Sequence, residues 1–312
     1  MWRTTTIGTL LTLLTANAAF GFACITTRSG QCIHWEQHAA TVDSFLAAPP
    51  SPPLANGTAT WDENVTSAAN DWTTSGANFH FDVAVGGQFI NPCGPQGGIH
   101  TCTNTGPIGN NPVFFSSTFC GTGFGDILEL VNDCWVQNTG AILNAPVFVN
   151  SAVAWNAYDG PLQFPNGEIV YDIRRVLLHE LGHVLGLDHP DGLGQNVRAI
   201  MNSQVSNLDR LQRDDRSGIV SLYGGTPPSE CAGDCDGNSQ VQIDEIIKLI
   251  NIVFGSLPLS ACDAGDLDHS GDITVDEVIA AVNSALSSCP AAASPQVTGM
   301  TLGKTGTNAI IR

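Results

Sequence analysis

Residues 179–189 read HELGHVLGLDH, and this run constrains the chain more than any other feature in it. On a helix, side chains four residues apart project from one face, so the spacing of His179 and His183 aims both imidazoles at one point. Gly186 lets the backbone turn sharply out of that helix and swing His189 round as a third ligand. Three neutral imidazoles suit zinc and leave a fourth position open, the arrangement of catalytic rather than closed structural sites. Glu180 sits beside the first histidine but is not placed to ligate. It is therefore the expected general base and acid for water attacking a carbonyl.

The flanks predict the scaffold. The stretch 171–186 (YDIRRVLLHELGHVLG) reads as a long helix ending at glycine. Upstream, 61–76 places Val65, Ala68, Ala69 and Trp72 on one helical face, and 79–85 alternates like a strand. A second strand is expected over 141–151 and a further helix over 211–224. The Gly/Pro/Cys-rich stretch 86–125 predicts little regular structure, held by disulfides, and 46–56 reads as a Pro-rich surface loop. Strands ahead of helices argue for an α+β domain.

With these flanks the motif resembles the metzincin clan of zinc peptidases and, within it, the matrixin family, over roughly residues 24–225. Ala199-Ile200-Met201 is similar to the family's Met-turn, and LQRDDRSGIVSLYG (211–224) to its final helix. The helix over 61–76 and the strand leading to Trp155 follow the family's order of elements. The resemblance implies a twisted mixed sheet carrying the active-site helix. It also implies a zinc ion on His179, His183 and His189, Met201 supporting the site, and endopeptidase action on protein or peptide substrates. Pro190 stands where serralysins usually carry proline, which keeps a serralysin-type alternative open, although the tyrosine expected two residues past Met201 is Ser203. Asn91-Pro92-Cys93-Gly94 is similar to the cysteine switch of matrixin propeptides. It falls after the first helix, however, where an ordinary disulfide is the expectation.

The net charge is −18, and half of it lies in a short C-terminal stretch: between Cys231 and Cys289 ten Asp/Glu face one lysine. Their spacing fits two twelve-residue calcium loops. The first takes Asp234, Asp236, Asn238, Gln240 and Glu245; the second takes Asp266, Asp268, Ser270, Asp272 and Glu277. Hard oxygens at alternate positions suit calcium rather than zinc. Each loop runs into a helix (244–254 and 276–287) with no helix before it, a loop-helix repeat that resembles a dockerin over about 234–288. That resemblance implies two calcium ions in a small all-α module and anchoring to a cohesin-like scaffold or cell-surface partner. Residues 226–230 read as a stiff linker between the domain over 24–225 and the module over 231–289, and 290–312 as a disordered tail. A calcium-dependent anchoring or adhesion protein with a degenerate peptidase domain is the alternative from another class.

Residues 1–23 read as a secretory signal peptide: Arg3, a short apolar run, then candidate cleavage points after Ala18 and Ala23. Ten cysteines fit an oxidising compartment. The expected pairs are 24–32, 93–102 and 120–134, with the last four paired among themselves. Asn56 and Asn64 head glycosylation sequons. The negative balance argues against nucleic acid as a partner. No run is long enough to span a membrane, and a monomer is expected.

Overall fold

The computed structural model describes residues 22–46, 48–49, 53–93, 109–225, 231–236, 240–267, 272–287 and 289. Most of the expected leader (1–21), the linker, the tail and the loop positions Asn238, Asp268 and Ser270 lie outside the described residues.

The chain opens with β1 (Ala23–Cys24), β2 (Ala39–Ser44) and helix α1 (Trp61–Thr73). Six strands follow: β3 (His80–Val85), β4 (Pro112–Ser116), β5 (Glu129–Val131), β6 (Cys134–Trp135), β7 (Ile142–Asn144) and β8 (Val147–Asn150). Then come β9 (Trp155–Asn156), β10 (Tyr171–Asp172), α2 (Ile173–Val184), β11 (Leu187–Asp188) and α3 (Arg213–Tyr223). The acidic segment forms α4 (Ile243–Val253) and α5 (Val275–Ser287).

Five strands make one mixed sheet in the order β3-β2-β4-β8-β5. The first four run parallel, and β5 pairs antiparallel with β8 through Leu130 and Phe148. A parallel neighbour needs a crossover, and α1 supplies it between β2 and β3. Its N-cap is Thr60, whose hydroxyl accepts the Glu63 amide at 3.2 Å, while Glu63 reaches back to the Ala59 amide at 3.1 Å. The face with Trp61, Val65, Ala68, Ala69 and Trp72 is buried. It packs on α2, and the indole N–H of Trp72 donates to the Leu178 carbonyl at 2.8 Å. That bond fixes the active-site helix against the layer beneath it.

Several expectations need correction. The stretch 86–125 is not merely irregular, because it contains β4, which lies in the middle of the sheet. The strand expected over 141–151 is two strands broken at Ala145-Pro146, since proline cannot donate to a ladder. Cys24–Cys32 pairs as expected, and so do the last four cysteines, as 231–289 and 235–262. Cys93, however, pairs with Cys120, which rules out both 93–102 and 120–134. Cys134 is also disulfide-bonded. The Asn64 sequon is closed: Asn64 is fully buried in α1, and its amide donates to the Thr58 hydroxyl and the Thr60 carbonyl.

Candidate active site

Helix α2 starts where the sequence gives it a cap. The Asp172 carboxylate accepts the amides of Arg174 and Arg175, each at 3.2 Å. It ends at Val184, and Gly186, whose φ of +95° suits glycine, turns the chain away from it. The Trp35 indole donates to the Val184 carbonyl and the Tyr223 hydroxyl to the Leu185 carbonyl, so the helix end is pinned by groups far away in sequence. Beyond the turn, β11 pairs with β1, placing Ala23 opposite Asp188 and the next residue, His189, over the helix.

The three histidines converge. Their Nε2 atoms lie 3.1 Å (179–183), 3.1 Å (179–189) and 3.0 Å (183–189) apart. On the far side of the rings, Nδ1 of His179 donates to the Ile200 carbonyl at 2.7 Å and Nδ1 of His183 to the Leu187 carbonyl at 2.9 Å. Those two bonds fix the tautomers of His179 and His183, so their Nε2 lone pairs face the point on which the His189 Nε2 also converges. Burial holds all three rings below their usual pKa; the neighbouring histidines add to it for His179 and for His183, which falls to about 3, whereas Asp188 and Asp191 pull His189 the other way. Neutral imidazoles with facing lone pairs are mutually repulsive unless a cation sits among them. With zinc–nitrogen bonds of about 2.0–2.1 Å, the donor set fits a zinc ion.

Met201 lies beneath this site. A Cβ added at Gly182, between the two helix histidines, would fall 2.2 Å from the Met201 sulfur, so a larger residue there would push the thioether out of its place. The turn 199–201 hangs from α3: the buried Asp215 carboxylate accepts the amides of Ile200 (2.9 Å), Met201 (3.1 Å) and Gln212 (2.7 Å). Asp191 fastens the other end by accepting from the Ser203 amide and hydroxyl.

Glu180 is buried on the same helix. Burial pushes its carboxyl up to about 8, with the backbone N–H of Val131 on β5 pulling the other way. A cation beside it would lower it again. The cleft in front of Glu180 has a volume of about 800 Å³ and runs between α2, β5 and the segment 203–208.

The expected calcium ligands fall into two groups. Carboxylate oxygens of Asp234, Asp236 and Glu245 lie within 4.8 Å of one another. Glu245 also accepts the amides of Cys235 and Gln242, and Glu277 those of Leu267 and Thr274, so the two loops close alike. Asp266 is buried. Sequence reasoning missed Asp215, the Val131 amide and Glu129. The acidic pair at 214–215 signalled only a helix, and nothing local marks the other two.

Comparison with known proteins agrees with this geometry. The profile described as Matrixin matches residues 39–224, more than half of the chain. Metalloendoproteinase 5-MMP of Arabidopsis thaliana is 40% identical over 80 residues, 22% of this chain and 21% of that protein. Matrix metalloproteinase-25 of Homo sapiens is 40% identical over 58 residues, 18% of this chain and 10% of that protein. The matches therefore span about a fifth or less of these relatives' own lengths. One solved structure, the GM1 bound form of the ECX AB5 holotoxin, aligns at 14% identity over 67% of this chain and 92% of that chain, with a TM-score of 0.36, too low to argue from. On the extent of the family match, this chain belongs to the matrixins.

Proposed function

We propose that the chain is a secreted, monomeric, zinc-dependent endopeptidase carrying a calcium-binding, dockerin-like anchoring module. The observation that carries the peptidase reading is the triangle of Nε2 atoms, 3.0–3.1 Å on a side, next to a buried glutamate in an open cleft. His179, His183 and His189 hold the metal, and Met201 packs under them. Bound there, zinc supplies Lewis acidity that polarises the scissile carbonyl and acidifies the attacking water. Glu180 takes the proton from that water on a carboxylate oxygen and returns it to the departing amine nitrogen. The outer edge of β5 pairs with no other strand among the described residues, so an extended substrate can add to the sheet along it.

Glu180→Ala, assayed on an unstructured protein, is expected to lower kcat by about 10²–10⁴ with zinc content unchanged by elemental analysis. Undiminished cleavage by the folded, zinc-loaded variant sinks the mechanism. Family membership favours this reading over the serralysin alternative.

The module reading rests on the paired loops, Asp234, Asp236, Asn238, Gln240 and Glu245 with Asp266, Asp268, Ser270, Asp272 and Glu277. Its partner reading is supported by apolar side chains that α4 and α5 leave exposed: Ile243, Ile247, Phe254, Val275, Ile279 and Leu286. Such a face suits a cohesin-like protein partner. Secretion is supported by the absence of free cysteines among the described residues. Ala23 is buried in β1, so removal of the leader after Ala18 leaves that strand whole, whereas removal after Ala23 halves it.

A further inference from the structure

The wall of the cleft is acidic beyond what hydrolysis requires. Asp126, Glu129, Asp133, Glu180 and Asp188 line it against one cation, Arg175. That cation is already committed. Its guanidinium donates to the carbonyls of Ser206 (2.9 Å) and Gly160, and its Nε lies 3.7 Å from the Asp172 carboxylate. Asp188 accepts the His189 amide at 2.8 Å, and Glu180 has a role in the chemistry. Glu129 has neither. It is 4% exposed, and neither carboxylate oxygen meets a donor. Asp133, four residues on, is half-buried, with its Oδ1 enclosed and unpartnered.

Strand geometry shows that Glu129 is not a stray core residue. Successive side chains on β5 alternate, and Leu130 packs into the aromatic cluster of Phe148 and Phe124. Glu129 therefore takes the opposite face, toward α2 and the cleft. An aliphatic side chain would satisfy that position if packing were its only duty. An uncompensated buried carboxylate is strongly unfavourable and calls for a cationic partner that arrives with the ligand. A lysine or arginine side chain is long enough to reach inward from a backbone laid along β5, and the cleft has room for it.

We infer that this cleft selects polypeptides that present a lysine or arginine side chain to its wall, and that Glu129 reads that charge. The inference rests on the peptidase reading for its setting and adds the substrate class. The same acidity steers cationic segments toward the cleft in preference to anionic ones.

The test uses the full, zinc-loaded chain and a peptide series that differs only by Lys, Arg, norleucine or Glu at each position around one cleavable bond. At one position, kcat/KM for Lys and Arg is expected to exceed norleucine at least tenfold, with Glu poorest. In Glu129→Gln the Lys-to-norleucine ratio is expected to fall at least tenfold, and Glu129→Leu serves as a second variant in case the first folds poorly. Calorimetric binding of the same peptides to Glu180→Ala supplies a readout independent of turnover. Cleavage with no basic preference, or a preference that survives both substitutions, overturns the inference. Lysine-dependent binding without cleavage sinks the peptidase reading and leaves Glu129 standing, while neither binding preference nor cleavage sinks both.

Discussion

Asp215 accepts three backbone amides on one enclosed carboxylate, and through them it sets the height of Met201 beneath the histidines. Burial raises its carboxyl from 3.8 to about 7, against the lowering effect of those amides. A folded pKa above the unfolded one means that the native chain binds the proton more tightly. Its contribution is therefore full below about pH 4 and is lost as pH rises through 7. The three histidines shift the opposite way, so the informative quantity is the difference from a variant that cannot titrate. The stability gap between wild type and Asp215→Asn, from urea midpoints, should shrink by on the order of 2 kcal/mol from pH 5 to pH 8. A gap independent of pH refutes the assignment. At this scale the histidines and Glu180 are legible in the sequence because four-residue spacing on one helix fixes their relations locally. Asp215 and the Val131 amide are not, because the groups that give them their roles, the Ile200 and Met201 amides and the Glu180 carboxylate, come from elements 14 or more residues away; Glu129 is not, because only the fold turns it toward the cleft.

Helix α2 works only because of how it ends. At Gly186 an added Cβ would sit 2.3 Å from the Ile33 carbonyl oxygen, and a φ of +95° is itself unfavourable for any other residue. Gly186→Ala should cost about 2–4 kcal/mol from strained backbone and overpacking together. It should also weaken zinc retention against a competing chelator, since the turn that delivers His189 must move. Normal thermal stability with normal zinc affinity would show that the turn tolerates a side chain. The helices are the elements most legible in the sequence: each expected one is present within a few residues, because caps and 3.6-residue periodicity are local signals. The sheet is less legible. Strand β4 hides in a glycine- and proline-rich stretch, and its identity comes from parallel pairing with β2 and β8, which are far away in sequence. The cysteine pairing escaped for the same reason, since Cys93 and Cys120 meet 27 residues apart through the fold.

Across the whole molecule, the acidic segment and the catalytic part meet at Arg198. Its Nη1 donates to Asp266 Oδ2 at 2.9 Å, its Nη2 lies 3.9 Å from Asp263 Oδ1, and Gln212 also reaches Asp263 at 3.5 Å. Arg198 stands three residues before Met201, and Asp266 opens the second loop proposed for calcium. The guanidinium and a calcium ion would therefore draw on the same buried carboxylate. Removing the guanidinium frees that carboxylate for the ion, so Arg198→Ala should bind calcium more tightly at one of two sites, by about three- to tenfold, a gain of about 1 kcal/mol. The same substitution removes a tie between the two parts, so in calcium-free buffer their melting transitions should move apart. Titration calorimetry with calcium and scanning calorimetry under a calcium-selective chelator read the two effects separately. Unchanged affinity at both sites would mean that Asp266 serves the contact with Arg198 alone, and the second loop would then lose its claim to a cation.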